Sequence, residues 1–168
     1  TEQGKSVPAT NRDSMAAMRT VGVESYISDS GVIRYKIIAE EWMVYDKLDP
    51  PFWAFEKGLY LEQFNEDFSA EATIKADTAY YYDKKKLWEL RSNVHIENQK
   101  QEKFDTDLLF WDEYKQEVYS DKKIRIEQAD KVIVGYGFKS NQQLTDYVIN
   151  NTEGIFYIEE DSPESVND

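Results

Sequence analysis

The residues of this chain that could carry out chemistry are its carboxylates and one histidine. Its 168 residues include 33 Asp and Glu, one histidine, His95, and no cysteine. The lack of cysteine excludes disulfides, thiolate metal ligands and cysteine nucleophiles. A Ser-His-Asp triad or a histidine-rich zinc site would depend on His95 alone. Because His95 lies between Val94 and Ile96 in an alternating segment, we interpret it as a surface residue on the face opposite those two.

Neighbouring carboxylates could form an acid–base pair or bind a cation. A glycosidase needs two carboxylates at a set separation across a cleft, and a calcium loop needs regularly spaced aspartates followed by glycine. Asp105 and Asp107 supply only a fragment of that spacing. We therefore interpret the acidic residues as a solvated surface and expect no metal and no cofactor. The other adjacent carboxylates are Glu40 and Glu41, Glu66 and Asp67, and residues 159–161.

The charge balance limits the kinds of partner. Twenty Lys and Arg against 33 Asp and Glu give a net charge of −13. Such a chain is a poor match for nucleic-acid phosphates and does not bind an anionic membrane by charge alone, so we expect no nucleic-acid partner. The lysines at residues 84–86 and 122–123 fall in or beside predicted turns. Their charges would prevent edge-to-edge association of sheets or, alternatively, contact phosphate.

The chain length fits one domain with polar ends. Residues 1–20 are predicted as a linker, in which a helix from Asn11 to Met18 could form. Residues 21–158 are predicted as the domain, and residues 159–168 as an acidic tail. No apolar stretch is long enough to span a membrane, and the sequence opens without Met or an apolar leader. This fits either a cytoplasmic protein or one whose signal or anchor precedes these residues.

Within the predicted domain, apolar residues mostly recur at every second position, which is typical of β-strands. Tyr35 and Ile37 alternate with polar residues after a predicted turn at 29–31, and the prolines at 50 and 51 interrupt the pattern. Short strands are predicted at 53–55 and 59–61. Over residues 70–98 helix propensity competes, but three consecutive tyrosines at 80–82 suit a pleated surface better. We therefore predict strands there too.

The strand pattern repeats along the chain. Residues 77–97 and 105–127 each read as a strand, a polar turn opened by aspartate, a strand, a kink and a strand, and residues 132–158 form a weaker copy. Stacked repeats of this kind bury a continuous interior. The prediction is an all-β antiparallel fold, either a sandwich or a folded-over jelly-roll. Several strands carry large apolar residues on both faces, which suits either a packed core or a groove that holds an apolar ligand.

The order of several short motifs resembles one family. Residues 31–39, Trp53 and residues 76–77 resemble its opening, residues 88–94 its kink before valine, residues 106–112 and 120–121 its second repeat, and residues 135–138 and 151–154 its end. The family is LptC, the periplasmic C component of the lipopolysaccharide export system, in the OstA-like superfamily. The A component and the barrel-plug partner share the repeat. The resemblance covers residues 21–158.

The resemblance implies a V-shaped β-jelly-roll whose groove holds the acyl chains of lipopolysaccharide. Such a protein accepts the lipid from an inner-membrane ABC transporter and passes it to a periplasmic bridge jelly-roll, and since no bond is made or broken it is not an enzyme. It would lie in the periplasm of a Gram-negative cell, tethered to the inner membrane by an N-terminal anchor that this chain does not include.

The charge of −13 is unusual for a carrier of a phosphorylated lipid. Burial of the acyl chains, at about 0.8 kcal/mol per CH₂, can outweigh that repulsion if the headgroup stays in solvent.

Alternation and the resemblance together assign candidate residues. The transporter is expected at an N-terminal edge and the bridge protein at a C-terminal edge, and the same open edges could pair two copies into a homodimer. Gly135 and Gly137 are predicted to allow a bulge beside the C-terminal edge. The predicted groove lining is Ile37, Phe55, Ile74, Tyr80, Tyr82, Trp88, Val94, Ile96, Leu108, Phe110, Ile124, Val134 and Phe138. The predicted edge residues are Val21, Val23, Gly135, Gly137, Tyr147, Ile149, Gly154 and Phe156.

Two other functions compete with lipid transfer. A carbohydrate-binding β-sandwich could stack sugars on Trp42, Trp53, Trp88 and Trp111, and a glycoside hydrolase could use a pair of the carboxylates. Sugar binding requires the tryptophans to be exposed together on one surface, whereas lipid transfer places aliphatic and aromatic side chains inside a groove.

Overall fold

A computed structural model describes residues 15–159, and these form eleven antiparallel β-strands. The all-β, folded antiparallel class predicted from the sequence is confirmed. Within residues 15–159 no helix is long and apolar enough to cross a membrane. The strands are β1 (Met18–Asp29), β2 (Val32–Tyr45), β3 (Phe52–Phe55), β4 (Leu59–Phe64), β5 (Ala70–Ala76), β6 (Thr78–Tyr82), β7 (Leu87–Asn98), β8 (Lys103–Asp112), β9 (Glu117–Glu127), β10 (Lys131–Asn141) and β11 (Tyr147–Tyr157).

Two long strands divide the sheet, because each pairs along its length with two short strands. In β2, residues 35–39 pair with β4 and residues 43–45 pair with β3. In β7, residues 95–98 pair with β5 and residues 87–91 pair with β6. The two long strands are therefore connected twice through the sheet, once by β4 and β5 and once by β3 and β6. Strands β8 to β11 continue the sheet as successive hairpins, and β1 pairs with β2 on the far side.

Irregularities in neighbouring strands lie side by side and fold the sheet over. In β7, Ser92 and Asn93 have φ values of 67° and 51°, and the register shifts against β8. The register also shifts between β8 and β9 and on both sides of β10 around Gly135 and Gly137, and Gly137 has a φ of 79°. Bulges bend and twist the strands that contain them. The kink predicted in the repeat and the bulge predicted at Gly135 and Gly137 are confirmed.

The line of bulges separates two halves that face each other. The Trp88 half contains β3, β6 and residues 42–45, 87–91, 108–112, 117–120, 138–141 and 147–149. The Phe104 half contains β4, β5 and residues 35–39, 94–98, 103–106, 124–127, 131–135 and 152–157. The ring of Tyr35 lies 6.0 Å from that of Trp88, and the ring of Phe104 lies 5.6 Å from that of Phe138. Neither pair is adjacent in the sheet, so the two halves pack face to face with an apolar interior between them.

The individual strand predictions agree with the structure except at the N-terminal boundary. Residues 70–98 form β5, β6 and β7, so the preference for strands over helices there is confirmed. Strand β1 begins at Met18 rather than at residue 21, because Met18 pairs with Val44 and the Ala17 amide donates to the Val44 carbonyl at 2.8 Å. Residues 1–14 and 160–168 lie outside the described residues, and with them most of the predicted linker, its helix and the acidic tail.

Candidate functional site

The interior between the halves is an aromatic core centred on Trp88. Its side chain is fully buried, and one continuous cluster of buried apolar residues surrounds it. Five aromatic rings lie with centroids 4.7–6.5 Å from that of Trp88, and they belong to Tyr35, Trp53, Phe55, Tyr81 and Trp111. These rings come from both halves, so the core ties the folded sheet together.

The four tryptophans form a chain of contacts through this core. Ring centroids of Trp42 and Trp53 are 4.8 Å apart, those of Trp53 and Trp88 are 6.5 Å apart, and those of Trp88 and Trp111 are 6.4 Å apart. Trp88 and Trp111 are buried, while Trp42 and Trp53 are partly buried against the same cluster. The tryptophans therefore do not form the exposed platform that the carbohydrate-binding alternative requires.

The ends of the strands far from the bulge line border an open cleft, which we call the mouth. The mouth has a volume of about 710 Å³, and Tyr35, Tyr81 and Trp111 of the core form its floor. Its rim is polar and mostly acidic, with the charged side chains of Asp29, Arg34, Glu66, Asp67, Glu71, Lys86 and Glu113. An aromatic floor below a polar rim matches an amphiphile whose apolar part points inward.

A hydrogen bond joins Tyr81 and Glu113, two residues that line the mouth. The Tyr81 hydroxyl donates to Glu113 Oε1 at 2.7 Å. Burial raises the pKa of Glu113, and this bond and the charge of Lys86 counteract that effect. Burial also raises the pKa values of Tyr81 and Tyr35, so both phenols stay neutral at physiological pH. Sequence reasoning did not single out Glu113, because a glutamate in a polar turn carries no signal of burial.

The structure places the predicted groove residues in two different environments. Eight of them lie buried together in the interior cluster: Ile37, Phe55, Ile74, Trp88, Val94, Ile96, Ile124 and Phe138. Five lie on the outer face of the folded sheet, since their strand neighbours point inward: Tyr80, Tyr82, Leu108, Phe110 and Val134. The interior residues absent from the prediction include Tyr35, Tyr81, Phe104, Leu109, Trp111 and Ile126.

The outer-face residues have partners of their own. The Tyr80 hydroxyl donates to Glu56 Oε2 at 2.6 Å, and the Tyr80 ring packs at 6.0 Å from that of Phe52. The Phe110 ring stacks on that of Tyr119 at 5.3 Å. These contacts hold the side chains of Tyr80 and Phe110 on the outer face.

The two edge strands leave backbone groups open for pairing. Among the described strands, β1 pairs with β2 alone and β11 pairs with β10 alone. At these edges Val21 and Phe156 are 63% and 61% exposed, whereas Val23 is buried in the interior and Ile149 packs against it. Of the other predicted edge residues, Tyr147 and Gly154 are half-buried in β11, and Gly135 and Gly137 are buried in β10 beside it. Open edges of this kind accept an added strand.

The histidine considered for catalysis lies outside the interior. The prediction that His95 faces away from Val94 and Ile96 is confirmed, and its Nδ1 lies 2.7 Å from Asp105 Oδ1. Within residues 15–159, no group of three or more His, Asp or Glu side chains is arranged to hold a metal ion.

Comparison with known proteins identifies one family. A family model described as "Lipopolysaccharide-assembly, LptC-related" matches residues 2–155, which is most of the chain. No curated protein matches the sequence.

Proposed function

The chain belongs to the LptC-related family of lipopolysaccharide-assembly proteins, and from this membership we propose that it carries lipopolysaccharide by holding the acyl chains in the interior between its two halves. Members of this family are transport components, so the proposed transfer of lipopolysaccharide is non-enzymatic. In this proposal the protein works in the periplasm, tethered to the inner membrane by a segment outside these residues. It accepts the lipid from an inner-membrane ABC transporter and passes it to the next jelly-roll.

The observation that carries the proposal is the position of the mouth above the aromatic core. An acyl chain passing the polar rim meets Tyr35, Tyr81 and Trp111 first and then the cluster around Trp88. Each CH₂ transferred from water to such surroundings contributes about 0.8 kcal/mol. Burial of a few methylenes per acyl chain therefore suffices for binding. Because the acyl chains enter only a short way, the lipid can still leave for the next protein.

The acidic rim fits a headgroup that remains in solvent. The mouth carries more carboxylates than cations, and Arg34 and Lys86 are its two basic side chains. At exposed positions, repulsion between these carboxylates and the lipid phosphates is screened over about 8 Å at physiological salt. Apolar burial therefore outweighs repulsion, provided that the headgroup stays outside the rim.

The open edges support the proposed order of transfer. Strand β1 at one end would add to the transporter complex, and β11 at the other end would add to the next jelly-roll. Strand addition at both ends aligns the interiors of consecutive proteins and makes one continuous apolar path. Homodimerisation through the same edges would compete with this assembly.

Binding of lipid A distinguishes this function from sugar recognition. We expect native mass spectrometry of the purified protein to detect a one-to-one complex with lipid A and none with the same glucosamine disaccharide after complete removal of its acyl chains. The acyl chains supply nearly all of the apolar burial, so affinity should fall by more than a hundredfold without them. Binding of the deacylated sugar at equal strength would overturn the proposal and favour carbohydrate recognition.

A further inference from the structure

The turn between β10 and β11 reaches from the Trp88 half to the Phe104 half. Asn98 of the Phe104 half donates from its side-chain amide to the Leu144 carbonyl at 2.7 Å, a bond that joins residues 46 positions apart. The same amide donates to Glu102 Oε1 at 2.8 Å, and the Asn98 side-chain oxygen accepts from the backbone amides of Lys100 and Glu102. Asn98 is itself buried, so its partners are fixed on both sides.

A second set of hydrogen bonds joins the Trp88 half to the Phe104 half. The Tyr147 hydroxyl donates to Glu102 Oε2 at 2.9 Å and accepts from the Gln128 side-chain amide at 2.6 Å. Burial raises the pKa of Tyr147 to about 12, although the bond from Gln128 lowers it, so the hydroxyl remains a donor. Glu102 and Gln128 belong to turns of the Phe104 half, whereas Tyr147 begins the β11 segment of the Trp88 half.

Leu144 is the apolar member of this contact. Its side chain is fully buried in the interior cluster, although it lies in the turn between β10 and the edge strand β11. Its backbone has a φ of 61°, a conformation that leucine seldom adopts. The rest of the turn is held by Asn141, whose side-chain oxygen accepts from the amides of Thr145 and Asp146. The turn therefore holds a leucine in the interior at a cost in backbone strain.

The contact stands at the border of the mouth. Gln142 and Gln143 of the same turn line the mouth, and Gln142 Oε1 accepts from Trp111 Nε1 at 3.3 Å. Gln143 and Glu71 both line the cleft, where burial raises the pKa of the Glu71 carboxyl and the polar side chain of Gln143 counteracts that effect. The mouth is open to solvent on one side of these residues, and the buried side chain of Leu144 fills the interior on the other.

We propose that Asn98, Glu102, Gln128, Leu144 and Tyr147 form a clasp that must open before an acyl chain can enter the interior, and that Leu144 vacates apolar space which the chain then fills. This inference rests on the proposed function, since it concerns the same interior. The hydrogen bonds hold the halves together in the empty protein. Opening exposes the apolar cluster below the floor of the mouth, and the strained turn around Leu144 lowers the cost of opening.

A reversible cross-link across the cleft tests the clasp. The chain has no cysteine, so Glu71→Cys with Gln143→Cys places the only two thiols on opposite sides of the mouth. A short bis-methanethiosulfonate reagent then locks the halves, and a reductant frees them. Lys103→Cys with Glu127→Cys, a pair directly opposite each other on β8 and β9 within the Phe104 half, is the matched control because its cross-link does not join the halves.

The readouts are the uptake of N-phenyl-1-naphthylamine, an uncharged apolar dye, and the binding of lipid A. We expect the Glu71–Gln143 cross-link to slow dye uptake by at least tenfold and to abolish lipid A binding, reductant to restore both, and the control cross-link to change neither. Unchanged dye uptake in the locked protein would overturn the clasp. If dye uptake is blocked by the lock but lipid A does not bind the free protein, the clasp stands and the proposed function fails.

A variant of the turn provides an independent measurement. Leu144→Gly removes the buried side chain and suits a positive φ, so the turn can persist without its apolar member. We expect this variant to bind the dye at least fivefold more tightly than the wild type, whereas Met43→Ala, which removes buried atoms from a separate small cluster in β2, leaves dye affinity within twofold. Equal dye affinity in Leu144→Gly and Met43→Ala would contradict the role of Leu144.

Discussion

Replacement of Trp88 by alanine is expected to lower the free energy of unfolding by about 3–5 kcal/mol, the range for large aromatic residues in packed cores. Trp88 is fully buried and contacts five aromatic rings from both halves. Its removal leaves a cavity at the place where the halves meet. Urea unfolding followed by far-ultraviolet circular dichroism measures the change, since the probe does not depend on tryptophan emission.

Phe110→Ala is the matched control for that loss. Phe110 is also a large aromatic residue in a central strand, but it is half-buried on the outer face against Tyr119. We expect it to cost less than half as much as Trp88→Ala, because solvent can fill the space that the ring leaves. Equal losses at the two positions would mean that the interior is not the main source of stability.

Replacement of Gly135 by valine is expected to destabilise the protein by about 3 kcal/mol, the upper part of the range for overpacking. A Cβ at Gly135 would lie 2.6 Å from the Ile149 side chain and 2.7 Å from the Asn151 carbonyl oxygen. The Asn151 contact is with backbone, so relief requires β11 to move away from β10. Urea unfolding gives the total loss, and hydrogen exchange of the β11 amides reports whether that strand detaches first.

Gly154→Val is the control for this second prediction. Gly154 lies in β11 opposite Val134, and its added Cβ would meet only the Phe156 ring at 3.1 Å. Phe156 is largely exposed and can turn aside, so we expect a change below about 1 kcal/mol. In the proposed function, Gly135→Val also blocks transfer to the next jelly-roll while lipid A binding persists. The crowding argument would be wrong if both valine variants unfolded at the same urea concentration.

The positions of the strands and the bulges could be predicted because both have local signals. Alternation of apolar residues marked the strands, and the repeated kink before Val94 and the glycines of β10 marked the places where the sheet bends. Both follow from backbone geometry, in which alternate side chains share a face and glycine tolerates positive φ. A folded-over sheet could therefore be predicted from the sequence alone.

The inward face of several strands could not be predicted, because their residues are apolar on both sides. Residues 80–82 are all tyrosine, yet Tyr81 faces the interior while Tyr80 and Tyr82 face outward. Residues 108–111 are all large and apolar, and the bulge beside them decides that Leu109 and Trp111 point inward. A shift of one residue exchanges the two faces of a strand, and only the register supplied by the folded sheet settles it.

The mouth and the clasp depend on contacts between distant parts of the chain. Asn98 and Leu144 carry no local motif, and the turn around Leu144 has mixed propensity. Their contact exists because the bulge line brings the turns of the two halves together. Glu113 likewise owes its raised pKa to burial created by the fold and not to its sequence neighbours alone.

Photo-cross-linking from adjacent positions on β6 tests most directly whether the interior holds the lipid. A benzophenone-bearing phenylalanine analogue replaces either Tyr81, which lines the mouth, or Tyr82, which faces outward on the same strand, and circular dichroism confirms that both variants fold. The account predicts a lipopolysaccharide adduct from position 81 and at most a tenth as much from position 82. Equal adducts from the two positions, or more from position 82, would contradict the claim that acyl chains lie between the halves.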